Sequence, residues 1–382
     1  MKVCVDIGTA QLKKDGEELC GDSIEVAHTD TGHIVVVADG LGSGVKANIL
    51  SRLTAKTAGT MLKMGGRIDD VIETVAQTLP ICKVRKLAYS TFTILQVTRE
   101  GRAYLVEYEN PPSYIGKSNS LKNIERTERI IGGKPIRESY FTVTENDWLV
   151  IVTDGMIHAG AGRTMNVAWD GSRVGMYLAG TYSPAVNAAE WAREIARLCN
   201  HIYGEKPADD ASVAVIKVRR PQHVVVMIGP PRDMDDDVPV VDKLMRSEGI
   251  KVVCGGTTAA IVARVLGREL NVDPSSRHER IPPAGSIAGI DLVTEGAVTL
   301  VDAMEHLKKG SGPRDLRGRD GASRLAAILL VADSVHFIVG TAANPAQQGP
   351  EMPAIYIYKQ YIIRDLIRIL QDMGKNVSEE YY

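Results

Sequence analysis

The sequence predicts a two-domain protein, with an α+β domain of antiparallel strands over residues 1–220 and a smaller α/β domain over residues 221–382. Three observations support this. The chain of 382 residues is too long for one ordinary hydrophobic core. Short apolar runs separated by turn residues fill its first part, as in antiparallel sheets. After the polar, proline-containing segment 219–223, strand-like and helix-like segments alternate, which favours an α/β domain with some parallel pairing.

The composition narrows the function classes. Hydrophobic residues make up 44% of the chain and charged residues 24%, as in globular proteins. A net charge of −2 without a basic run argues against a nucleic-acid-binding surface. No apolar segment is long enough to cross a bilayer, and the first residues read as a strand and not as a signal peptide. We therefore expect a cytoplasmic protein without membrane contact.

The five cysteines are odd in number and lie far apart in the sequence, at Cys4, Cys20, Cys82, Cys199 and Cys254. This spacing predicts neither a disulfide framework nor a zinc cluster. We expect reduced thiols, most of them buried, as is usual in a cytosolic protein.

The elements of the first domain follow from apolar runs and the turns between them. The turn signal Asp30-Thr31-Gly32 predicts a hairpin, and the continuously apolar run after it predicts a fully buried strand. Asp69 and Asp70 mark a helix start. The predicted strands are 3–12, 24–28, 34–38, 91–98, 103–108, 113–115, 139–143, 148–153 and 213–218, and the predicted helices are 45–64, 68–79 and 185–203.

The second domain is predicted from the alternation of strand and helix patterns. Strands are expected at 224–228 and 251–254, and helices at 238–247, 257–270, 299–308 and, as the final element, 362–373. Segment 307–323 is rich in Lys, Arg, Gly and Asp and predicts a mobile loop. Segments 325–331 and 334–340 fit either a strand pair or a helix followed by a strand.

Acidic residues recur at the ends of the predicted strands of the first domain. Asp39 and Asp154 each follow a buried strand, Asp22 stands at a strand start, and Asp209 and Asp210 precede the last strand. Each acid alone also fits a turn or a cap. Together, however, partly buried carboxylates would repel one another without a cation. Oxygen ligands without suitably spaced His or Cys favour Mg²⁺ or Mn²⁺, and two bridged ions would use about four such acids.

The acids belong to four motifs that follow one another along the chain. These are Gly21-Asp22, the run 36–44 with Asp39-Gly40 at its centre, Val152-Thr153-Asp154-Gly155, and Asp209-Asp210-Ala211-Ser212, with segments 90–93 and 109–112 in support. By these motifs, residues 1 to about 220 resemble the PPM-type metal-dependent protein serine/threonine phosphatases, in particular the bacterial sporulation-E (SpoIIE-like) branch. The resemblance covers somewhat more than half of the chain.

The resemblance implies an α-β-β-α sandwich of two antiparallel sheets flanked by helices, with two Mn²⁺ or Mg²⁺ ions at one edge. It implies that Asp39 bridges the ions. The Gly40 carbonyl and, through a water molecule, Asp22 would complete the coordination of one ion. Asp154 and Asp209 would hold the other. Asp39 and Asp154 would then act in catalysis through a metal-bound water that attacks the phosphorus of a phosphorylated protein.

Other positions complete or depart from the family pattern. Asp210 lies beside the ligand Asp209 and is counted with the metal-binding set. Leu41 stands where some members carry a histidine that is a candidate general acid. No arginine is identified for the phosphate, for which Lys13 and Lys14 are candidates. Among the histidines, His158 is the one to test because it lies four residues after Asp154.

A glycine-rich turn is the candidate ligand site of the second domain. Gly255, Gly256, Thr257 and Thr258 follow a predicted strand, and backbone amides at such a helix start bind anions. The turn lacks the Gly-Lys-Ser/Thr of a P-loop. The alternative is a tight turn with Thr257 as helix N-cap. We hypothesise that it lies beside the Asp-rich loop 228–237, at the C-terminal ends of neighbouring strands, and binds a phosphorylated or nucleotide-like effector.

The sequence thus predicts a protein serine/threonine phosphatase that acts on a phosphorylated regulatory protein, with a regulatory or partner-binding second domain. The alternative is a catalytically weak phosphatase fold that serves as scaffold or sensor and whose second domain binds a small anionic ligand. Retention of all the expected acids favours the enzyme. A homodimer is left open.

Overall fold

The chain divides between Arg220 and Pro221 into two units. The computed structural model describes residues 2–29, 31–78, 90–160, 169–277, 281–310, 316, 318–342 and 352–382, with the side chains of 76–78 and 352–359 left aside.

The first unit contains two fully antiparallel sheets. The five-stranded sheet consists, in spatial order, of β1 (Cys4–Leu12), β11 (Ala211–Arg219), β10 (Asp147–Val152), β6 (Tyr114–Lys117) and β7 (Ser120–Leu121). The six-stranded sheet consists of β2 (Asp22–His28), β3 (Gly32–Gly40), β4 (Ser90–Thr98), β5 (Arg102–Tyr108), β9 (Lys134–Thr142) and β8 (Thr127–Ile131).

Five helices belong to this unit, counted over the residues that the structure describes. They are α1 (Gly44–Lys63), α2 (Ile68–Thr78), α3 (Asp154–Ile157), α4 (Gly171–Thr181) and α5 (Ala188–Ile202). Helices α1 and α2 pack on the six-stranded sheet, where Ala55 and Ala58 meet Val36. Helices α4 and α5 pack on the five-stranded sheet, where Leu178 and Trp191 join one cluster.

The two sheets pack face to face between these helices. Val35 and Val37 of β3 meet Leu149 and Ile151 of β10 in the cluster between the sheets. Because strand side chains alternate between faces, β3 buries one set against α1 and the other set against the second sheet. This explains its uninterrupted apolar run and confirms the α-β-β-α sandwich that the resemblance implied.

Several elements of this unit were missed by the sequence prediction. Strand β8 is largely exposed at a sheet edge, so it lacks a clear apolar pattern. Helix α4 contains three glycines, which weaken the helical signal, and it is started by Asp170, whose side chain accepts a hydrogen bond from the Arg173 backbone N–H. The two-residue β7 and the one-turn α3 are too short to carry a periodicity.

The second unit is built around one seven-stranded sheet. In spatial order its strands are β14 (Asn271–Val272), β15 (Gly285–Ile287), β16 (Ile290–Thr294), β13 (Ile250–Cys254), β12 (His223–Ile228), β17 (Ser334–Val339) and β18 (Asn376–Tyr381). The five strands from β16 to β18 are parallel, and only β14 and β15 are antiparallel. The predicted α/β class with parallel pairing is confirmed.

Helices cover both faces of this sheet, as parallel sheets require. Helices α6 (Asp237–Arg246) and α7 (Gly256–Leu266) share one hydrophobic cluster with the sheet. Helices α8 (Ala297–Lys308), α9 (Gly321–Val331) and α10 (Met352–Asp372) share the cluster on the other face. Chain order across the parallel strands is third, second, first, fourth and fifth, the order of doubly wound nucleotide-binding folds.

Three predictions for this unit were wrong in part. The helix predicted over 257–270 ends at Leu266, because Gly267 adopts a left-handed φ of 61° and closes it. The last helix is not the final element, since β18 follows it. The ends of the predicted loop 307–323 belong to α8 and α9, whereas 311–315 and 317 lie outside the described residues. A helix followed by a strand is the correct alternative for 325–340.

Two smaller expectations concern membranes and thiols. Within the described ranges, no helix combines the length and the apolar character needed to cross a membrane. The described cysteines Cys4, Cys20, Cys199 and Cys254 form no disulfide among themselves, and Cys82 lies outside the described residues.

Candidate metal centre

The acids of the first unit meet at one edge of the sandwich. In the β2–β3 ladder, Asp22 lies directly opposite Asp39. The Thr153 hydroxyl, at the end of β10, donates a hydrogen bond of 2.8 Å to Asp22 Oδ2 and so links the two sheets. Asp154 is the next residue along the chain, and the Thr153 backbone N–H donates to the Ser212 carbonyl (3.1 Å) just after Asp209 and Asp210.

Close backbone approach holds these strand ends together. A Cβ on Gly40 would lie 2.1 Å from the Ala47 carbonyl oxygen of α1, so the chain can pass there only as glycine. A Cβ on Gly155 would lie 2.0 Å from the Asp210 carbonyl oxygen. The glycines after Asp39 and Asp154 therefore bring α1 against β3 and the end of β10 against the start of β11.

The carboxyl groups perturb one another strongly. Burial, followed by the charges of Asp22, Asp154 and Asp209, raises the pKa of Asp39 to about 9. Burial raises the pKa of Asp22 to about 7, although the hydrogen bond from Thr153 opposes this shift. Burial and the charge of Asp154 also raise the pKa of Asp209. Burial is the largest cause of all three shifts, and the charges of neighbouring carboxylates add to each of them.

Asp210 is almost fully buried, at 4% exposure, and its two carboxylate oxygens differ in their hydrogen bonding. Oδ1 accepts a hydrogen bond of 3.0 Å from the Lys14 backbone N–H. Oδ2 is buried and has no hydrogen-bond partner among the described residues. A buried carboxylate oxygen left in this state is costly unless a cation or water contacts it.

The donor set fits hard divalent cations. It offers carboxylate oxygens and the Gly40 carbonyl, with an unpartnered carboxylate oxygen on Asp210. In the described part of the chain, no three His, Cys, Asp or Glu side chains are already arranged to hold one ion. The acids are thus neighbours and are suitable ligands for a divalent cation, but their side chains do not yet converge on one coordination point.

A hydrogen-bonded support behind Asp22 was missed at the sequence level. The Thr153 hydroxyl donates to Asp22 and accepts from the Ser212 backbone N–H at 2.8 Å. The Gln11 side chain donates to the Ser212 hydroxyl (2.9 Å) and to the Asp22 carbonyl (3.2 Å). Thr153 and Ser212 lie inside the recognised motifs, but their link depends on the β10–β11 pairing, which those motifs do not specify.

We expect Thr153→Val to raise the concentration of a divalent metal ion needed for half-saturation of this centre by about tenfold. The substitution removes the donor that favours the ionised form of Asp22, so this carboxyl holds a proton more strongly. Thr153→Ser keeps the hydroxyl and is the matched control. A metal titration that is identical for both variants would show that Thr153 does not position Asp22.

The remaining predicted residues have clear locations. Lys14 is tied to the acids through its backbone N–H, which donates to Asp210 Oδ1, and its charge lowers the pKa of Asp209 against the larger effects of burial and of Asp154. Lys13 is exposed, and Leu41 is half-buried directly after Gly40. His158 is exposed at the end of α3, where its backbone N–H donates to the Asp154 carbonyl at 2.9 Å.

Comparison with known proteins decides the family. Residues 29–219, half of the chain, match the family described as Stage II sporulation protein E (SpoIIE). The chain belongs to the SpoIIE family. It is accordingly a protein phosphatase, of a class that depends on divalent metal ions. No curated protein matches the sequence significantly.

Several solved structures are similar to this SpoIIE-family chain. One is the phosphatase domain of the cell fate determinant SpoIIE from Bacillus subtilis, with 18% identity, coverage of 57% of this chain and 94% of that one, and a TM-score of 0.44. A second comprises the PP2C phosphatase domain and a fragment of the regulatory domain of the same protein. It has 19% identity, coverage of 57% of this chain and 63% of that one, and a TM-score of 0.49. A third is RsbX in complex with magnesium. It has 21% identity, coverage of 56% of this chain and 99% of that one, and a TM-score of 0.39.

The glycine turn of the second unit lies where the sequence placed it. Strands β12 and β13 are parallel neighbours that end in register at Ile228 and Cys254, so both hypothesised loops lie at the same sheet edge. Helix α7 begins after Gly255, which has a φ of 115°, so Thr257 as N-cap was wrong. Gly256 and Thr257 are exposed, whereas Thr258 is buried.

The Asp-rich loop next to this turn is occupied by local structure. Asp233 accepts a hydrogen bond of 3.0 Å from the Asp235 backbone N–H and caps a single 3₁₀ turn. Asp237 is buried at the start of α6, where it forms an ion pair with Arg264 of α7. Asp233 and Asp237 therefore stabilise the starts of these helices.

Proposed function

We propose that the first unit hydrolyses phosphoserine or phosphothreonine in a phosphorylated regulatory protein at a centre of two Mn²⁺ or Mg²⁺ ions. The proposal rests on one observation above all. The β2–β3 register sets Asp22 opposite Asp39, and Thr153 links that pair to the strand end that carries Asp154. The residues that would hold the ions are Asp22, Asp39, Gly40, Asp154, Asp209 and Asp210.

When bound, divalent cations supply a water acidic enough to attack phosphorus near neutral pH and neutralise charge on the phosphoryl oxygens. The residues of the chain would hold the ions and orient the groups that react. Asp39 lies opposite Asp22, and the charges of Asp22 and Asp154 both raise its pKa, so it is the acid that would gain most from a bound cation. Lys14 adds the nearby positive charge that would attract a phosphoryl group.

The leaving serine or threonine oxygen must receive a proton. Leu41 cannot supply it, because its side chain is aliphatic. We assign this proton to solvent. The second unit would regulate the enzyme or recruit its partner, and the homodimer left open by the sequence stays a prediction.

Phosphate release from a phosphoserine peptide tests the proposal. We expect turnover with Mn²⁺, slower or equal turnover with Mg²⁺, and a loss of at least about a hundredfold with EDTA, because the acids alone provide no acidified water. Asp70→Asn changes an exposed acid of α2 and should behave as wild type. Absence of metal-dependent release from all phosphoserine and phosphothreonine substrates would favour the scaffold or sensor.

A further inference from the structure

Two helices of the second unit begin after a glycine, although the two glycines differ in backbone conformation, with φ of 115° at Gly255 and −81° at Gly296. Helix α7 follows Gly255 and helix α8 follows Gly296, and neither start has a side-chain cap among the described residues. Both helices carry a threonine three residues after the glycine, Thr258 and Thr299. The first amides of any helix need an external acceptor, which a glycine cap cannot provide.

The hydroxyls of these threonines are unsatisfied. Thr258 is 1% exposed and Thr299 is 0% exposed, and neither hydroxyl has a hydrogen-bond partner among the described residues. Thr258 Oγ1 points back to the helix start, since it lies 3.1 Å from the position of a Cβ on Gly255. A buried hydroxyl without a hydrogen-bond partner is destabilising. Because two such hydroxyls occur at equivalent helix positions, we look for one cause that explains both.

A third helix of the same unit shows what is missing. Helix α9 begins after Asp320, whose Oδ1 accepts from the Ser323 backbone N–H (2.8 Å) and whose Oδ2 accepts from the Ser323 hydroxyl (2.7 Å). Ser323 occupies the same position in α9 as Thr258 in α7. An anion at the helix start therefore satisfies both the third amide and the third hydroxyl.

The two glycine starts are neighbours at the carboxyl edge of the sheet. A Cβ on Gly296 would lie 3.7 Å from Gly255 Cα, and apart from its chain neighbours Glu295 and Ala297 and the backbone of α8, no other described atom would lie within 4 Å. The Gly255 backbone N–H donates to the Thr294 carbonyl at 2.9 Å, which holds the β13 and β16 ends together. One group placed over this gap would reach the starts of both helices.

The usual ligand crevice of this strand order is crossed by backbone contacts among the described residues. It would lie between β12 and β17, but a Cβ on Gly340 would lie only 2.1 Å from the Pro230 carbonyl oxygen. The backbone N–H of Ala342 donates to the same carbonyl at 3.1 Å, and Thr341 bonds to Tyr382. The open helix starts at β13 and β16 are therefore the better site.

We propose that the gap between Gly255 and Gly296 binds the phosphoryl group of a small molecule, with the Thr258 and Thr299 hydroxyls and the first amides of α7 and α8 as donors. A phosphoryl group has three oxygens that can accept from two helix starts at once. Glu295 now holds part of this space, because its Oε2 accepts from the Gly296 backbone N–H (2.7 Å). Its Oε1 lies 3.7 Å from the position of a Cβ on Gly256, so an entering phosphoryl group must displace this carboxylate.

Calorimetric titration of the full chain with inorganic phosphate, in EDTA so that the phosphatase centre holds no metal, tests the site. The variant Thr258→Val/Thr299→Val should bind phosphate at least about tenfold more weakly. Without phosphate it should unfold at the same or a higher temperature, because buried unpaired hydroxyls have been removed. Ser323→Ala, at the matched position of the acid-capped α9, should keep the wild-type phosphate affinity.

Glu295→Gln should bind phosphate about fivefold more tightly, because a like charge leaves the site. Adenosine monophosphate, titrated beside inorganic phosphate, distinguishes an organic phosphate from the free ion by its relative affinity. Equal phosphate binding by wild type and the double threonine variant, or no binding by either, overturns the proposal. So does acetate that binds as tightly as phosphate, or weaker phosphate binding by Glu295→Gln.

Discussion

Asp39→Asn is expected to lower phosphate release by about a thousandfold or more while the protein stays folded. Loss of metal-centred charge stabilisation is worth several kcal/mol in the transition state, and each 1.4 kcal/mol is about tenfold in rate. Asp39 is the acid on which the charges of Asp22, Asp154 and Asp209 all act, so its substitution affects the whole cluster. Steady-state kinetics with saturating Mn²⁺ measures the effect.

The same variant should be more stable than wild type in EDTA, and increasingly so as the pH rises. The pKa of Asp39 is about 9 in the folded metal-free protein but lies near its ordinary value of 3.8 when the chain is unfolded. The unfolded chain therefore binds fewer protons between these values, and the stability of the wild type falls as the pH rises from about 4 to 9. Asn carries no such penalty.

Urea unfolding in EDTA at pH 5 and pH 8 measures the effect of the substitution on stability separately from its effect on activity. Asp70→Asn, which lies in the exposed first turn of α2, should match the wild type in both activity and pH dependence. Full activity of Asp39→Asn would remove Asp39 from the centre. An inactive variant that is also less stable in EDTA would indicate a folding defect and not the loss of a ligand.

Much of the candidate centre follows from local sequence. Strands β2 and β3 pair with His28 opposite His33, and the antiparallel register then places Asp22 opposite Asp39 without further information, whereas Asp30 of the predicted turn lies outside the described residues. The apolar run that ends at Asp39 is explained by burial on both faces of β3. These features could be predicted because they depend on neighbours within about twenty residues.

The rest depends on pairing between distant segments. Thr153 supports Asp22 only because β10 pairs with β11 and the two sheets pack together, and neither pairing is encoded in a local pattern. Likewise, Gly255-x-x-Thr258 and Gly296-x-x-Thr299 are visible in the sequence, but their adjacency requires β13 and β16 to be neighbours. Exposed or glycine-rich elements such as β8 and α4 were missed because burial patterns and propensity were weak there.

Gly40→Ala is expected to destabilise the first unit by about 3 kcal/mol or more, as severe overpacking against backbone does. The added methyl group would lie 2.1 Å from the Ala47 carbonyl oxygen and 2.9 Å from Ala47 Cα, and neither atom belongs to a side chain that can turn away. Helix α1 must then move from the end of β3. Because Asp39 precedes Gly40, phosphatase activity should fall together with stability.

Gly180→Ala is the matched control, since apart from its chain neighbours and the nearby backbone of helix α4 no described atom would lie within 4 Å of the added methyl group. There the substitution should leave stability unchanged or raise it by about 0.5–1 kcal/mol, because alanine loses less backbone entropy in a helix. Urea unfolding of both variants measures the difference. Equal stability of the two would mean that α1 does not press on Gly40, and the requirement for glycine after Asp39 would then lie in the chemistry of its carbonyl and not in packing.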